Sequence, residues 1–286
     1  MQDYMIPTSV KEVQALGWDS IDIILFSGDA FIDHPSFGTA VIARWLQKWG
    51  YRVAVVPQPN WRDDLRDFRK LGAPRLYFGV NAGAMDSMVN HYTASKRLRH
   101  DDAYTPDGKA GARPDYAVTV YTQILKKLYP EVPVVIGGIE ASLRRLTHYD
   151  YWKDCLLPSI LVSSGADYLC YGMGERPMLE LTKGIEKGWS RHRMMQIPQL
   201  AFFVKGKLPE GVRMPEGEVV PEPVATLGRV RGRGPSSGWE GSRSDGSGTT
   251  SPSGILVLNS YETCLKDKRA FAQNFHWIET HANMAH

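Results

Sequence analysis

IDIILFS, residues 21–27, running into GDAFIDHPSFG, residues 28–38, decides how the rest of the chain reads. The first segment is a continuous apolar run of strand length, the pattern of a strand covered by helices on both sides rather than one with a wet face. The second is small, polar and glycine-rich, as a turn leaving a strand is. A helix pattern follows at residues 39–49, with Val41, Ile42, Trp45, Leu46 and Trp49 on one face and Gly50 as its stop.

Outward from this unit the same pattern repeats. RVAVVP at 52–57, LYFGV at 76–80, VPVVIG at 132–137 and DYLCY at 167–171 are further short apolar runs, separated by helix-compatible sequence such as residues 116–129. Upstream, Ser9 to Glu12 forms a capping box that opens a short helix. Doubly covered strands alternating with helices predict an α/β fold with an open, mostly parallel, doubly wound sheet. In such sheets ligands lie beyond the carboxyl ends of the strands.

Composition narrows the function classes. With 43% hydrophobic and 23% charged residues, the 286-residue chain has the make-up of an ordinary globular protein. Its 34 basic and 31 acidic residues leave a formal charge of only +3, too little for a surface that tracks phosphates, so nucleic acid is not the expected partner. No apolar run approaches the ~20 residues of a membrane span. MQDYMIPTS opens with an acid and a proline where a signal peptide needs a positive and then an apolar segment, and the chain therefore reads as cytoplasmic with no membrane association. Cys155, Cys170 and Cys264 are too few and too far apart for a disulfide framework or a local cysteine metal site.

The strand ends supply the candidate site. Gly28, Asp29, Asp33, His34 and Gly38 follow the first strand; Asn81 and Gly83 follow the third; Gly137, Gly138 and Glu140 follow the fourth; Gly172, Gly174 and Glu175 follow the fifth. Glycine lets a ligand approach the backbone, and the first amides of a helix favour anionic or polar groups. Each loop alone is ordinary turn chemistry, and Asp33 or Ser36 also reads as a helix cap. Their convergence on one sheet edge is what points to a cofactor-binding site.

Three further features stand outside that edge. The connection from Asp86 to Asp115, with His91, Tyr92 and Tyr104, is too long and aromatic for idle loop and predicts a structured lid or interdomain contact. Lys96, Arg97, Arg99 and His100 form one basic run and Arg144-Arg145 another; solvated helix faces explain such runs, with anion recognition as the alternative. Residues 228–254 hold 8 Gly, 7 Ser and 2 Pro and predict a linker or insertion, with an Arg-Gly RNA contact through Arg229, Arg231 and Arg233 as the weaker reading.

GDAFIDHPSFG at 28–38, residues 83–121 beginning GAMDSMVNHYTASKRLRHDD, VVIGGIEASLRRLTHYDYW at 134–152 and SYETCLKDKRAF at 260–271 closely resemble the amino-terminal region of YgiQ-type radical SAM proteins. The resemblance covers nearly the whole chain apart from the Gly/Ser segment. It implies a domain preceding a radical SAM domain whose Cys-x3-Cys-x2-Cys loop holds a 4Fe-4S cluster and S-adenosylmethionine. It further implies kinship with cobalamin-binding domains, whose Asp-x-His-x-x-Gly frame is met here by Asp33 and Gly38, with Pro35 in the histidine slot and Gly137-Gly138 resembling the later glycine pair.

No Cys-x3-Cys-x2-Cys loop occurs in the 286 residues, and HANMAH falls inside a helix pattern running from about Lys266 with Phe271, Phe275 and Ile278 on one face. The expectation is an amino-terminal fragment: an α/β domain at 1–227, a linker at 228–254, and at 255–286 the lead into a radical SAM domain that would be its partner. The domain would form part of a cavity for a substrate that the residues do not name, and would have no radical chemistry by itself. The expected cofactors are the 4Fe-4S cluster and S-adenosylmethionine, with ligands outside the chain, and cobalamin. A free-standing, flavodoxin-like module for a nucleotide, cobalamin or other small ligand is the alternative.

Overall fold

The computed structural model describes residues 5–30, 37–204 and 257–283. A six-stranded sheet forms its centre. In chain order the elements are α1 (Val10–Ala15), β1 (Ile23–Ser27), α2 (Phe37–Lys48), β2 (Val53–Pro57), α3 (Arg66–Arg69), β3 (Tyr77–Asn81), α4 (Ser87–His91), α5 (Ala117–Leu128), β4 (Val134–Ile136) and α6 (Gly138–Leu143). Then come β5 (His148–Asp150), β6 (Cys155–Leu157), α7 (Ile160–Ser164), β7 (Tyr168–Cys170), α8 (Glu175–Glu186), α9 (Arg191–Met194), β8 (Leu200–Ala201), α10 (Tyr261–Lys266) and α11 (Lys268–Asn283).

The strand order is β2-β1-β3-β4-β7-β8. All pairs are parallel except the last, where Leu169 faces Ala201 and Cys170 faces Leu200 in antiparallel register. The first five positions follow the flavodoxin-like doubly wound order, which reverses direction between β1 and β3 and opens a crevice there. The predicted α/β fold is therefore the observed one, with strand bounds moved by one or two residues.

Alternation within the strands explains why both faces are apolar. Ile24 and Phe26 point into one buried cluster with Phe68, Phe78, Tyr121, Leu125 and Ile136, on the side of α5 and α7. Ile23 and Leu25 point into the other, with Leu46, Val53, Val55, Tyr77, Val135 and Leu181, on the side of α2 and α8. Phe26 stacks on Phe68 with ring centroids 5.2 Å apart and meets Phe78 edge-on at 5.8 Å. Truncating such a buried ring to alanine costs about 3–5 kcal/mol.

Two features lie beyond the sequence reading. β5 and β6 pair as a separate antiparallel hairpin, Asp150 against Cys155. The carboxyl-terminal helix is broken at Asp267: Ser260 caps α10, and α11 packs back on it through Ala270 and Asn274, whose side chain also bonds Asn259. Phe275, expected on the apolar face, is instead 60% exposed, because the short α10 covers only the Ala270–Asn274 side. Tyr261 Oη donates to the Leu156 carbonyl at 3.3 Å and ties this segment to the hairpin.

Candidate functional site

The carboxyl ends of β1, β3, β4 and β7 surround a cleft of about 330 Å³. Its floor is the sheet face under α2 and α8, built from Leu25, Val135 and Cys170, and its walls are Ile42 of α2 and Met178 of α8. The rim is made by the strand-end loops: Gly38 and Thr39, Asn81 and Gly83, Gly137 and Gly138, then Gly172, Gly174 and Glu175. An apolar floor with a polar, glycine-lined rim is the make-up of a small-molecule site.

Asn81 organises that rim. Its Oδ1 accepts from the Gly83 amide at 2.9 Å, from Thr39 Oγ1 at 3.2 Å and from Ser27 Oγ at 3.4 Å, while its Nδ2 donates to the Phe26 carbonyl at 3.4 Å. One side chain thus joins β1, the start of α2 and the loop after β3. Gly138 opens α6 at φ +78°, where a side chain is strained, and a Cβ there would stand 3.3 Å from Asn81 Cβ at the cleft edge.

Three of the sequence-predicted residues lie beneath the cleft rather than on it. Gly28 packs under the β3 loop, its amide bonded to the Asn81 carbonyl at 3.1 Å. Asp29 is buried, accepts from the Ala84 amide at 2.7 Å and pairs with Arg113 at 3.0 Å. Glu140 is wholly buried; its two oxygens accept from the Ser87 and Val118 amides, both at 2.9 Å, and so cap the starts of α4 and α5 together. Burial pushes its carboxyl above the usual value, with the Asp86 charge acting in the same direction. Asp33 and His34 lie outside the described residues, as does the 228–254 segment.

Sequence reasoning missed the buried ion network that carries these loops. Arg113, fully buried, donates to the Ala82 carbonyl at 2.8 Å and pairs with Asp102 at 3.1 Å as well as with Asp29. Arg144, assigned to a solvated face, is buried instead, because it pairs with Asp86 and lies over the Tyr116 ring at 5.6 Å. Arg145 is half-buried over Tyr171. Arg97, Arg99 and His100 are exposed, as expected. Of the buried pairs only Arg113–Asp102 lies within one stretch of sequence; Asp29 and Arg144 are brought in from elsewhere in the chain.

The radical SAM N-terminal family model matches residues 5–286. The chain belongs to the radical SAM N-terminal family. A UPF0313 protein of Porphyromonas gingivalis is 54% identical over 279 residues, covering 97% of this chain and 38% of that protein. The UPF0313 protein YgiQ of Escherichia coli is 53% identical over 204 residues, which is 71% of this chain and 28% of that protein. This radical SAM N-terminal chain therefore spans less than half the length of the curated relatives it matches, and its resemblance to the amino-terminal region of YgiQ-type proteins holds. Among solved structures, the radical S-adenosylmethionine methyltransferase TsrM of Kitasatospora setae, with cobalamin and a 4Fe-4S cluster bound, aligns at 19% identity and a TM-score of 0.43, over 65% of this chain and 29% of that one.

Cys155 is exposed in the hairpin, Cys170 is buried in the cleft floor and Cys264 is buried beside α11; no three His, Cys, Asp or Glu side chains among the described residues are grouped to hold a metal. Burial pushes the Cys170 thiol up to about 12, which keeps it protonated and a poor ligand. An iron–sulfur cluster does not fit these residues. No histidine lines the cleft among the described residues, and His34 lies outside them. No described helix is long and apolar enough to cross a membrane.

Proposed function

We propose that this chain is the cofactor- and substrate-cavity domain of a radical SAM iron–sulfur enzyme, and that the cleft above β1, β3, β4 and β7 holds one part of a small ligand against an apolar floor. The observation that carries this reading is the convergence of four strand-end loops on one cleft at the point where strand order reverses. The family match supports the enzyme class. Reductive cleavage of S-adenosylmethionine is the chemistry a 4Fe-4S cluster supplies, and in this reading it belongs to a radical SAM domain that is the chain's partner.

The chain's own residues then position the ligand. Leu25, Ile42, Val135 and Met178 take its apolar portion. Thr39, Asn81 and the backbone of Gly138 and Gly172 face its polar portion, and the Asn81 bonds fix Thr39 and the Gly83 loop before any ligand arrives, which lowers the cost of binding.

The test is a thermal-shift screen of the chain with S-adenosylmethionine and cobalamins. The expected result is one stabilising class, worth about 2.7 kcal/mol at 100 times its dissociation constant. A cobalamin hit retained through desalting would identify that class as the ligand. Flat melting curves across the whole panel would contradict the proposal.

A further inference from the structure

The long connection after β3 builds a second cavity that the cleft does not use. Met88, Tyr92, Lys96, Asp115, Tyr116, Trp152 and Lys153 enclose about 320 Å³ between α4, the start of α5 and the β5–β6 hairpin. Three aromatic rings form its walls. Two ammonium groups stand at those rings: Lys153 Nζ lies 4.5 Å from the Tyr116 centroid, and Lys96 Nζ lies 4.7 Å from that of the neighbouring Tyr151 and donates to the Trp152 carbonyl at 3.4 Å.

Two observations say that this space is built and not left over. Lys96 and Tyr116 take left-handed backbone at φ 59° and φ 52°, a strain of about 1–3 kcal/mol each that the surrounding structure has to hold in place. Asp115 engages both oxygens, one with His91 Nδ1 at 2.6 Å and one with Tyr92 Oη at 2.9 Å, which fixes the Tyr92 ring as a wall.

The donors left to a ligand are therefore the remaining N–H groups of two exposed ammonium ions, and the one lining carboxylate already has a partner on each oxygen. Donors of that kind recognise an anion, and rings of that kind recognise a flat π-face. We propose that this cavity is a second ligand site, separate from the cleft, for a planar ring carrying one anionic group, of the size of a nucleoside monophosphate. It uses Lys96 of the basic run that the cleft leaves unexplained, and the structured 86–115 connection as its frame.

The probe is AMP titrated calorimetrically into the chain, with adenosine and inorganic phosphate as partial probes. AMP is expected to bind saturably. Adenosine and phosphate should each bind at least ~tenfold more weakly, and K96M and K153Q should each weaken AMP by ~tenfold. Both lysines are exposed, so these variants keep the fold. Gly138→Val, which narrows the cleft, should leave AMP affinity unchanged, so the two sites fail or stand independently. No saturable AMP binding overturns the proposal, as does AMP binding that survives both lysine changes or disappears in Gly138→Val.

Discussion

The guanidinium of Arg113, with no exposed surface, lies 3.0 Å from the carboxylate of Asp29. Directly above that carboxylate sits Gly83, at φ +102°, where any Cβ would run into the Asp29 oxygens. The rim of the cleft therefore rests on a buried ion pair, and the second carboxylate, Asp102, holds the other side of the same arginine at 3.1 Å.

Removing one partner of that network strands a buried charge. Arg113→Met is expected to cost about 3–5 kcal/mol in urea unfolding, because two carboxylates lose their counter-ion in a site without water access. Arg113→Lys should recover only part of it, since an ammonium cannot span Asp29, Asp102 and the Ala82 carbonyl together. A variant within 1 kcal/mol of the parent would show that the network is not what holds the rim.

The acid side of the stability profile should report Asp102. Burial works to raise its carboxyl, but the Arg113 charge, the Tyr104 amide and the Thr105 hydroxyl together hold it below the ordinary 3.8. A depressed folded value means stability that is present above the unfolded value near 3.8 and lost as pH falls through the folded one. Parent and Asp102→Asn should thus differ most near neutrality, begin to converge near pH 3.8 and meet only once the pH is below the folded value, which is lower still, in denaturant titrations. A gap that is constant with pH would remove the carboxylate from the account.

Thiol labelling should sort the cysteines by exposure. Cys155 is exposed, while Cys170 and Cys264 are buried and both thiols are raised by burial. Mass spectrometry after brief alkylation of the folded chain is expected to find one modified site, Cys155, with the other two appearing only on unfolding. Rapid modification of Cys170 would mean that the cleft floor opens.

Gly138→Ala separates strain from ligand contact. The left-handed backbone makes any side chain cost about 1 kcal/mol, and the added methyl meets Asn81 at 3.3 Å. The expected outcome is a modest loss in melting temperature together with weaker binding of any cleft ligand; the same change at Gly188, whose Cβ would meet open space at φ +60°, should carry the strain alone.

Much of the fold was legible in the sequence because doubly covered parallel strands have a distinctive pattern: IDIILFS sends Ile24 and Phe26 to one core and Ile23 and Leu25 to the other. The antiparallel β8 was not legible, since a two-residue edge strand leaves no periodicity to read. Most of the candidate glycines do line the cleft, because a glycine at a strand end is needed where backbones converge. Asp29, Glu140 and Arg144 read as surface or site residues and are buried structural groups, because charge pairing over more than 50 residues of sequence, as between Asp86 and Arg144, has no local signature.

The central claim is that the glycine-rimmed cleft is a ligand site, and equilibrium dialysis of the best-stabilising member of the cofactor panel against the parent and Gly138→Val tests it most directly. The account predicts saturable binding to the parent and a loss of at least ~tenfold in the variant, with the variant still folding cooperatively. Equal affinity in the two proteins would contradict it.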